Sequence, residues 1–179
     1  MQRSVKASII LALLMTLLLY LPPAQAQLRI IKHPRGTLRI QHLREVERRI
    51  YVLTNEVRRK YHLSPLDRDD ALVVTARAHS DDMLQRHFFS HVNPDGLTPK
   101  DRIAPAYSST IALAGENIWS GHGYDYSDSK LMARVIVDSW ISSPGHRANL
   151  LNPNYTHLGV GVSVQDKEIR ATQNFVQRR

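Results

Sequence analysis

Leu43, Val46, Ile50, Leu53 and Val57 recur at alternating steps of three and four residues, which places them on one stripe of a helical cylinder. Arg44, Glu45, Glu47, Arg48 and Arg58 fall off that stripe. The pattern predicts an amphipathic helix that stops near Tyr61, because Ser64-Pro65 disfavours further helical backbone. Residues 27–39, with Pro34 and Gly36, read as an extended leader in front of it. A second helix starts at Asp69 or Asp70, either of which can cap it. It passes through Leu72, Ala76, His79 and Met83 to about Arg86. Its small residues Ala71, Ala76 and Ala78 point to close packing against a neighbour.

Beyond Phe88-Phe89-Ser90-His91, the stretch Asn93-Pro94-Asp95-Gly96 has the chemistry of a tight turn. Thr98-Pro99 opens a short helix, with Thr98 as cap and Pro99 at its first position, and Pro105 ends it. Gly115 to Trp119 reads as a short strand, followed by a Gly121-His122-Gly123 loop. Ser127 or Asp128 caps a helix through Leu131, Val135, Ile136 and Trp140. Ser143-Pro144-Gly145 then turns the chain into His146-Arg147-Ala148-Asn149-Leu150. Two strands close the sequence, Leu158 to Val164 and about Glu168 to Val176, joined by a hairpin turn at Asp166-Lys167. Helices and antiparallel strands are mixed without βαβ order. The fold class is therefore α+β, with helices packed on a small sheet.

The N-terminus has a separate logic. Arg3 and Lys6 precede the uncharged run Ala7–Leu21. Pro22-Pro23 breaks that run, and Ala24-Gln25-Ala26 supplies a small-x-small cleavage pattern. Residues 1–26 are read as a signal peptide, since the apolar run falls short of the ~20 residues a spanning helix needs. The chain holds no cysteine, which excludes disulfides and a cysteine-linked lipid anchor. The expected location is secreted or periplasmic. Residues 27–41 read as a basic arm and 42–179 as one folded domain of common size.

Charge is uneven along the chain. Residues 27–61 carry ten Lys/Arg against three Glu, and residues 62–179 carry twelve against thirteen acidic residues. A basic segment of this kind suits an anionic envelope surface, or is simply a solvated helix face. Nucleic acid is not expected, because no aromatic-and-basic platform accompanies the charge.

Nine histidines in a cysteine-free chain raise metal or acid–base chemistry. His33 and His42 belong to or adjoin the arm, and His62 follows a helix end. His79 is expected to be packed and hydrogen-bonded on the second helix. His87 and His91 need not share a face, and His122 and His157 are placed in loops. His91, Glu116 and His146 stand apart by context. A carboxylate in an otherwise apolar strand is costly unless paired, and a histidine is the economical partner. Two imidazoles and a carboxylate are three of the ligands zinc accepts. The same trio could carry acid–base chemistry. No H-E-x-x-H helix, no G-x-S-x-G elbow and no Gly-rich phosphate loop is present.

Taken together, the motifs resemble the CAP superfamily (cysteine-rich secretory proteins, antigen 5 and pathogenesis-related proteins; the SCP domain) in its bacterial form. "LTNEVRRKYHLSPL" resembles the first-helix signature, with Asn55, Arg58, Leu63, Pro65 and Leu66 in place, and "ARAHSDDM" resembles the second helix. "FFSHVNPDG" with "PKDRI", "AGENI" and "WISSPGHRANLLNPNYTHLGVGV" resemble the three site-bearing segments, and "TQNF" the closing strand. The resemblance implies an α-β-α sandwich with a central antiparallel sheet, and a cleft lined by His91, Glu116 and His146. Zinc or another divalent cation is the candidate cofactor there, held more weakly than in members with a complete tetrad, because one carboxylate of the four is missing here. Eukaryotic members carry a second glutamate after the equivalent of Trp140, whereas Ile141-Ser142-Ser143 follows here. Asp138 or Ser142 are the candidates for a substitute oxygen.

Three functions remain open from the sequence. One is an extracellular binding module for lipid, sterol, cell-wall or protein ligands. Another is a hydrolase, with His91 or His146 as general base, Glu116 as its partner and water as nucleophile. The third is a purely structural His/Glu cluster. Ser90 and Ser142 lie near the site segments, but capping and turn hydrogen bonds account for them.

Overall fold

Three local caps set the frame. Asp69 accepts from the amides of Ala71 and Leu72, and Asp128 accepts from that of Leu131. Thr98 and Asp101 form a reciprocal capping box with Pro99 at the first helical position. Each cap satisfies amides that a helix start leaves unpaired. The computed structural model describes residues 34–107 and 111–178. The signal peptide expected at 1–26 and residues 27–33 of the expected arm lie outside them. The chain divides into two compact units, Met1–Leu38 and Arg39–Arg179. The described end of the first, Pro34–Leu38, is helical. The second holds the sheet and the helices packed on it.

In chain order the elements are α1 (Pro34–Lys60), β1 (Asp67–Arg68), α2 (Asp70–Gln85), α3 (Pro99–Ile103), β2 (Ala114–His122), α4 (Ser129–Ser142), α5 (Pro144–Leu150), β3 (His157–Gln165) and β4 (Glu168–Val176). Residues 34–39 were expected in an extended leader, yet α1 begins at Pro34. Proline is tolerated in a first turn, where its missing amide costs nothing. A 3₁₀ turn, Ala104–Ala106, carries the chain past Pro105.

The sheet order is β1-β3-β4-β2. β4 lies between β3 and β2 and pairs antiparallel with both along its full length. That pairing draws Gly121, His122 and His157, expected in loops, into strands. β1 is parallel to β3, so the sheet is mixed rather than wholly antiparallel. Two polar residues, Asp67 and Arg68, give no strand pattern to read. Their place comes from backbone bonds of Asp67 N–H to Thr156 O and Asp69 N–H to Leu158 O.

Helices cover both faces. On one side Leu43, Val46 and Ile50 of α1 meet Met132, Ile136 and Trp140 of α4, and Val160, Val162, Ile169 and Phe175 of the sheet. On the other, Leu72 of α2 and Ile103 of α3 pack with Ile111 and Val176. The close approach anticipated for α2 is made possible mainly by its neighbour. A Cβ on Gly159 or Gly161 would run into the α2 backbone at Leu72–Val73 or Ala76–Arg77. Ala76 is the one of the three small α2 residues that is buried.

Two off-stripe residues of α1 are buried rather than solvated. Arg58 is 1% exposed and donates to the carbonyls of Ser64, Leu150 and Asn152, which ties the end of α1 to the end of α5. Glu47 pairs with Arg77 of α2 and accepts from the amide of Val162 on the open edge of β3. The free edge of β2 is closed in the same manner. Trp140 Nε1 donates to Ile118 O at 3.0 Å, and Asn149 Nδ2 donates to Glu116 O at 3.0 Å. Unpaired strand edges are a hazard that folds must cover, and here polar side chains from three helices do so.

Replacing Gly161 with alanine should destabilise the fold by about 2 kcal/mol, the usual scale of overpacking. Gly145→Ala, with open space around its Cβ position, should change stability by less than about 0.5 kcal/mol. Urea unfolding of both variants checks this, and equal values would contradict the packing described.

Candidate functional site

Side chains alternate along β2, so neighbouring residues serve opposite faces. Glu116 is paired in register with Asn174, and Asn117 with Gln173. Glu116 points to the α2/α3 side, where it meets His79 and Arg102. Asn117 points to the α1 side, where its Nδ2 donates to Gln173 Oε1 and to His146 O. Gln173 Nε2 in turn donates to Thr54 of α1 at 2.8 Å. Asn149 of α5 donates to both Glu116 O and Asn117 Oδ1. This amide seam fixes α5, and with it His146, against β2.

The expected trio does converge. His91 Nδ1 donates to Glu116 Oε1 at 2.8 Å. The rings of His91 and His146 lie edge to face, with centroids 6.3 Å apart. The Glu116 side chain is 1% exposed, while that of His91 is 47% exposed. A buried carboxylate thus holds an imidazole that solvent can reach. Asp138 and Ser142, the candidates for a substitute oxygen, make no hydrogen bond to the trio among the described residues. Ser90 Oγ accepts from the Val92 amide, a local turn role as expected.

Glu116 has a further partner that the sequence pattern did not assign. Arg102 of α3 donates from Nη2 to Glu116 Oε2 at 2.6 Å. Its Nη1 donates to the carbonyls of His91 and Leu97, each at 2.8 Å. The guanidinium therefore neutralises the carboxylate and clamps the loop that carries His91. That loop is internally braced as well. Asn93 Oδ1 accepts from the amides of Asp95 and Leu97, and Gly96 adopts φ 81°. The signal available in the sequence was the need of a buried charge for a full counter-charge, together with an arginine on a firmly capped helix.

His79 is packed and hydrogen-bonded, as expected. It is 1% exposed, and Nε2 donates to Ser90 O at 3.1 Å while lying 3.8 Å from Glu116 Oε1. Burial pushes its imidazole below the ordinary value of 6.5; Glu116 opposes that shift and Arg102 reinforces it. Its Nδ1 is buried without a hydrogen-bond partner. A neutral ring donating from Nε2 leaves that nitrogen as a bare acceptor, which agrees with the direction of the shift. Burial also pushes the His146 imidazole down, with a smaller contribution from His91.

The donor set does not fit a three-ligand zinc centre. Both Glu116 oxygens are engaged, one by His91 and one by a cationic guanidinium, and a metal drawn to Oε2 would have to displace that cation. Among the described residues, no three His, Asp or Glu side chains gather in a metal-binding group. What remains is a carboxylate-oriented histidine whose ring meets that of a second histidine edge to face.

A model of the cysteine-rich secretory protein family (CAP) matches residues 51–177. The chain is 40% identical over 132 residues to the uncharacterized membrane protein YlbC of Bacillus subtilis (strain 168), covering 74% of this chain and 34% of that protein. It is 38% identical over 115 residues to the uncharacterized protein YkwD of the same organism, covering 64% and 41%. The chain thus spans well under half the length of these curated relatives. A solved extracellular protein containing an SCP domain from Bacillus anthracis str. Ames is 38% identical, with TM-score 0.61 over 74% of this chain and 40% of that one. An outer surface protein from Borrelia burgdorferi superposes with TM-score 0.65 at 26% identity, covering 75% and 94%.

His79 and His146 bind protons less readily in the folded chain than in the unfolded one. As pH falls below about 6.5, the unfolded state takes up protons first, so stability should be greatest above that value and decline between pH ~6.5 and ~5. Denaturant unfolding across this range checks the sign. His79→Gln should make the decline shallower, and a wild-type stability that rises on acidification would contradict the assignment.

Proposed function

We propose, since the chain belongs to the cysteine-rich secretory protein family (CAP), that it acts outside the cytoplasm as a binding module whose ligand meets the His91/His146 cleft. The observation that carries this reading is the contrast within one hydrogen-bonded pair. Glu116 is buried and fully engaged, whereas the ring it orients is half exposed. Such a group presents a fixed hydrogen-bonding edge, which recognition requires. No serine or threonine hydroxyl donates to His91 or His146 among the described residues, which does not favour a hydroxyl side chain as nucleophile there. The ligand classes that suit this family resemblance are lipid, sterol, cell-wall and protein surfaces.

Export is part of the proposal. The N-terminal pattern of Arg3, Lys6, Ala7–Leu21 and Ala24-Gln25-Ala26 supports a cleaved signal peptide. The extracellular and outer-surface character of the two solved relatives agrees with it. No helix among the described residues is long and apolar enough to cross a membrane.

Basic charge supports peripheral contact with an anionic envelope. Exposed Arg39, Arg44, Arg48, Arg59 and Lys60 lie along α1. A groove of about 240 Å³ between α1 and α4 is lined by Arg48, Arg49, Lys130 and Arg134, with Glu56 as its one carboxylate. Cations near an anionic surface contribute about 1 kcal/mol each.

One observation favours a hydrolase as the second reading. The 2.8 Å contact of His91 with Glu116 is the arrangement of a general base and its orienting carboxylate. Hydrolysis of peptide or cell-wall libraries should then vanish in both His91→Ala and His146→Ala. Activity that survived either change would remove the cleft from the reaction.

Flotation with phosphatidylglycerol vesicles tests the envelope contact. The protein should float with them at low salt and be released in about 1 M salt, where the screening length is about 3 Å. Lys130→Glu/Arg134→Glu should weaken flotation. Binding indifferent to salt would overturn the electrostatic reading.

A further inference from the structure

The Arg102 guanidinium stands where a bound cation would act on Glu116. It is 2.6 Å from Oε2, its side chain is 11% exposed, and the carboxylate it meets is 1% exposed. The other oxygen is held by His91 at 2.8 Å, with His79 Nε2 lying 3.8 Å from the same atom. Three nitrogen-bearing groups therefore surround one carboxylate, and the only one that is always charged is the arginine. The guanidinium also holds the His91 and Leu97 carbonyls, so it cannot swing away without releasing the loop.

We infer that Arg102 is the resident cation of this cleft, keeping divalent metal off Glu116 and making the His91–Glu116 arrangement independent of metal. The inference goes beyond the binding-module reading and does not rest on it, because it concerns what charges the site rather than what the site recognises. Its logic is that of a buried ion pair. A carboxylate already neutralised and desolvated has little attraction left for a second cation, and a metal ion at the same oxygen would face the guanidinium at short range. The two imidazoles alone are a two-ligand set, short of the three protein ligands that zinc sites use. Removing the arginine charge without shortening the side chain greatly should free Glu116 Oε2 for a divalent metal ion that the wild-type chain excludes.

Calorimetric zinc titration of the full-length protein tests this. Arg102→Gln should bind zinc at least about tenfold more tightly than wild type, and the gain should disappear in Arg102→Gln/Glu116→Gln. Arg102→Lys, which keeps the charge, should behave like wild type. Circular dichroism confirms that each variant is folded. A structural role alone would lower the melting temperature but would not create zinc affinity. No gain in a folded Arg102→Gln protein overturns the inference. A parallel measurement needs only wild type and His91→Ala. The wild-type melting temperature should be unmoved by zinc or by chelator. A zinc-dependent rise in wild type that is lost in His91→Ala would overturn the inference even if Arg102→Gln failed to fold.

Discussion

One ion pair organises the end of the molecule that carries His91 and Glu116. Glu116 is drawn out of water by the apolar strand that carries it, and an unpaired carboxylate there would cost several kcal/mol. Arg102 removes that cost, and its remaining donors are spent on the loop that presents His91. The placing of His91 thus follows from charge balance in the core. His91 is oriented by a carboxylate that cannot move, because the carboxylate is itself held by an arginine on a capped helix.

The rest of the fold delivers the pieces to that pair. Strand alternation sends Glu116 to one face and Asn117 to the other, so a single strand joins two helical layers. The Thr54–Gln173–Asn117 seam and the Asn149 bridge carry α5 and His146 to the open edge of β2. Close approach of α2 over Gly159 and Gly161 places His79 beneath Glu116. Buried polar networks of this kind specify position well when every member is satisfied. Among the described residues, His79 Nδ1 and Asn174 Oδ1 beside Glu116 are buried without a protein hydrogen-bond partner.

Much of this could be read from residue pattern. The stripe of α1, the Asp69, Thr98 and Asp128 caps, and the hairpin at Asp166-Lys167 are local features, and local physics sets them. The convergence of His91, Glu116 and His146 is not local, and came from the family resemblance of their segments. Arg102 is not legible in the pattern, because a long, charged side chain on a short helix usually faces water, and only tertiary packing turns it inward. Arg58 and Glu47 are off-stripe residues buried for the same reason. β1 escaped because two polar residues carry no periodicity. The start of α1 at Pro34 was missed because proline marks both a helix start and an irregular leader, and the sequence pattern does not separate them.

A double-mutant cycle between Arg102 and Glu116 bears most directly on the role of this pair. Stability of wild type, Arg102→Met, Glu116→Gln and the double variant would be measured by urea unfolding. Each single change leaves a buried polar or charged partner behind and should cost about 3–5 kcal/mol. The double change should cost less than the sum of the singles by about 2 kcal/mol or more. Single effects that add within about 0.5 kcal/mol would contradict the claim that this pair holds the His91 loop in place.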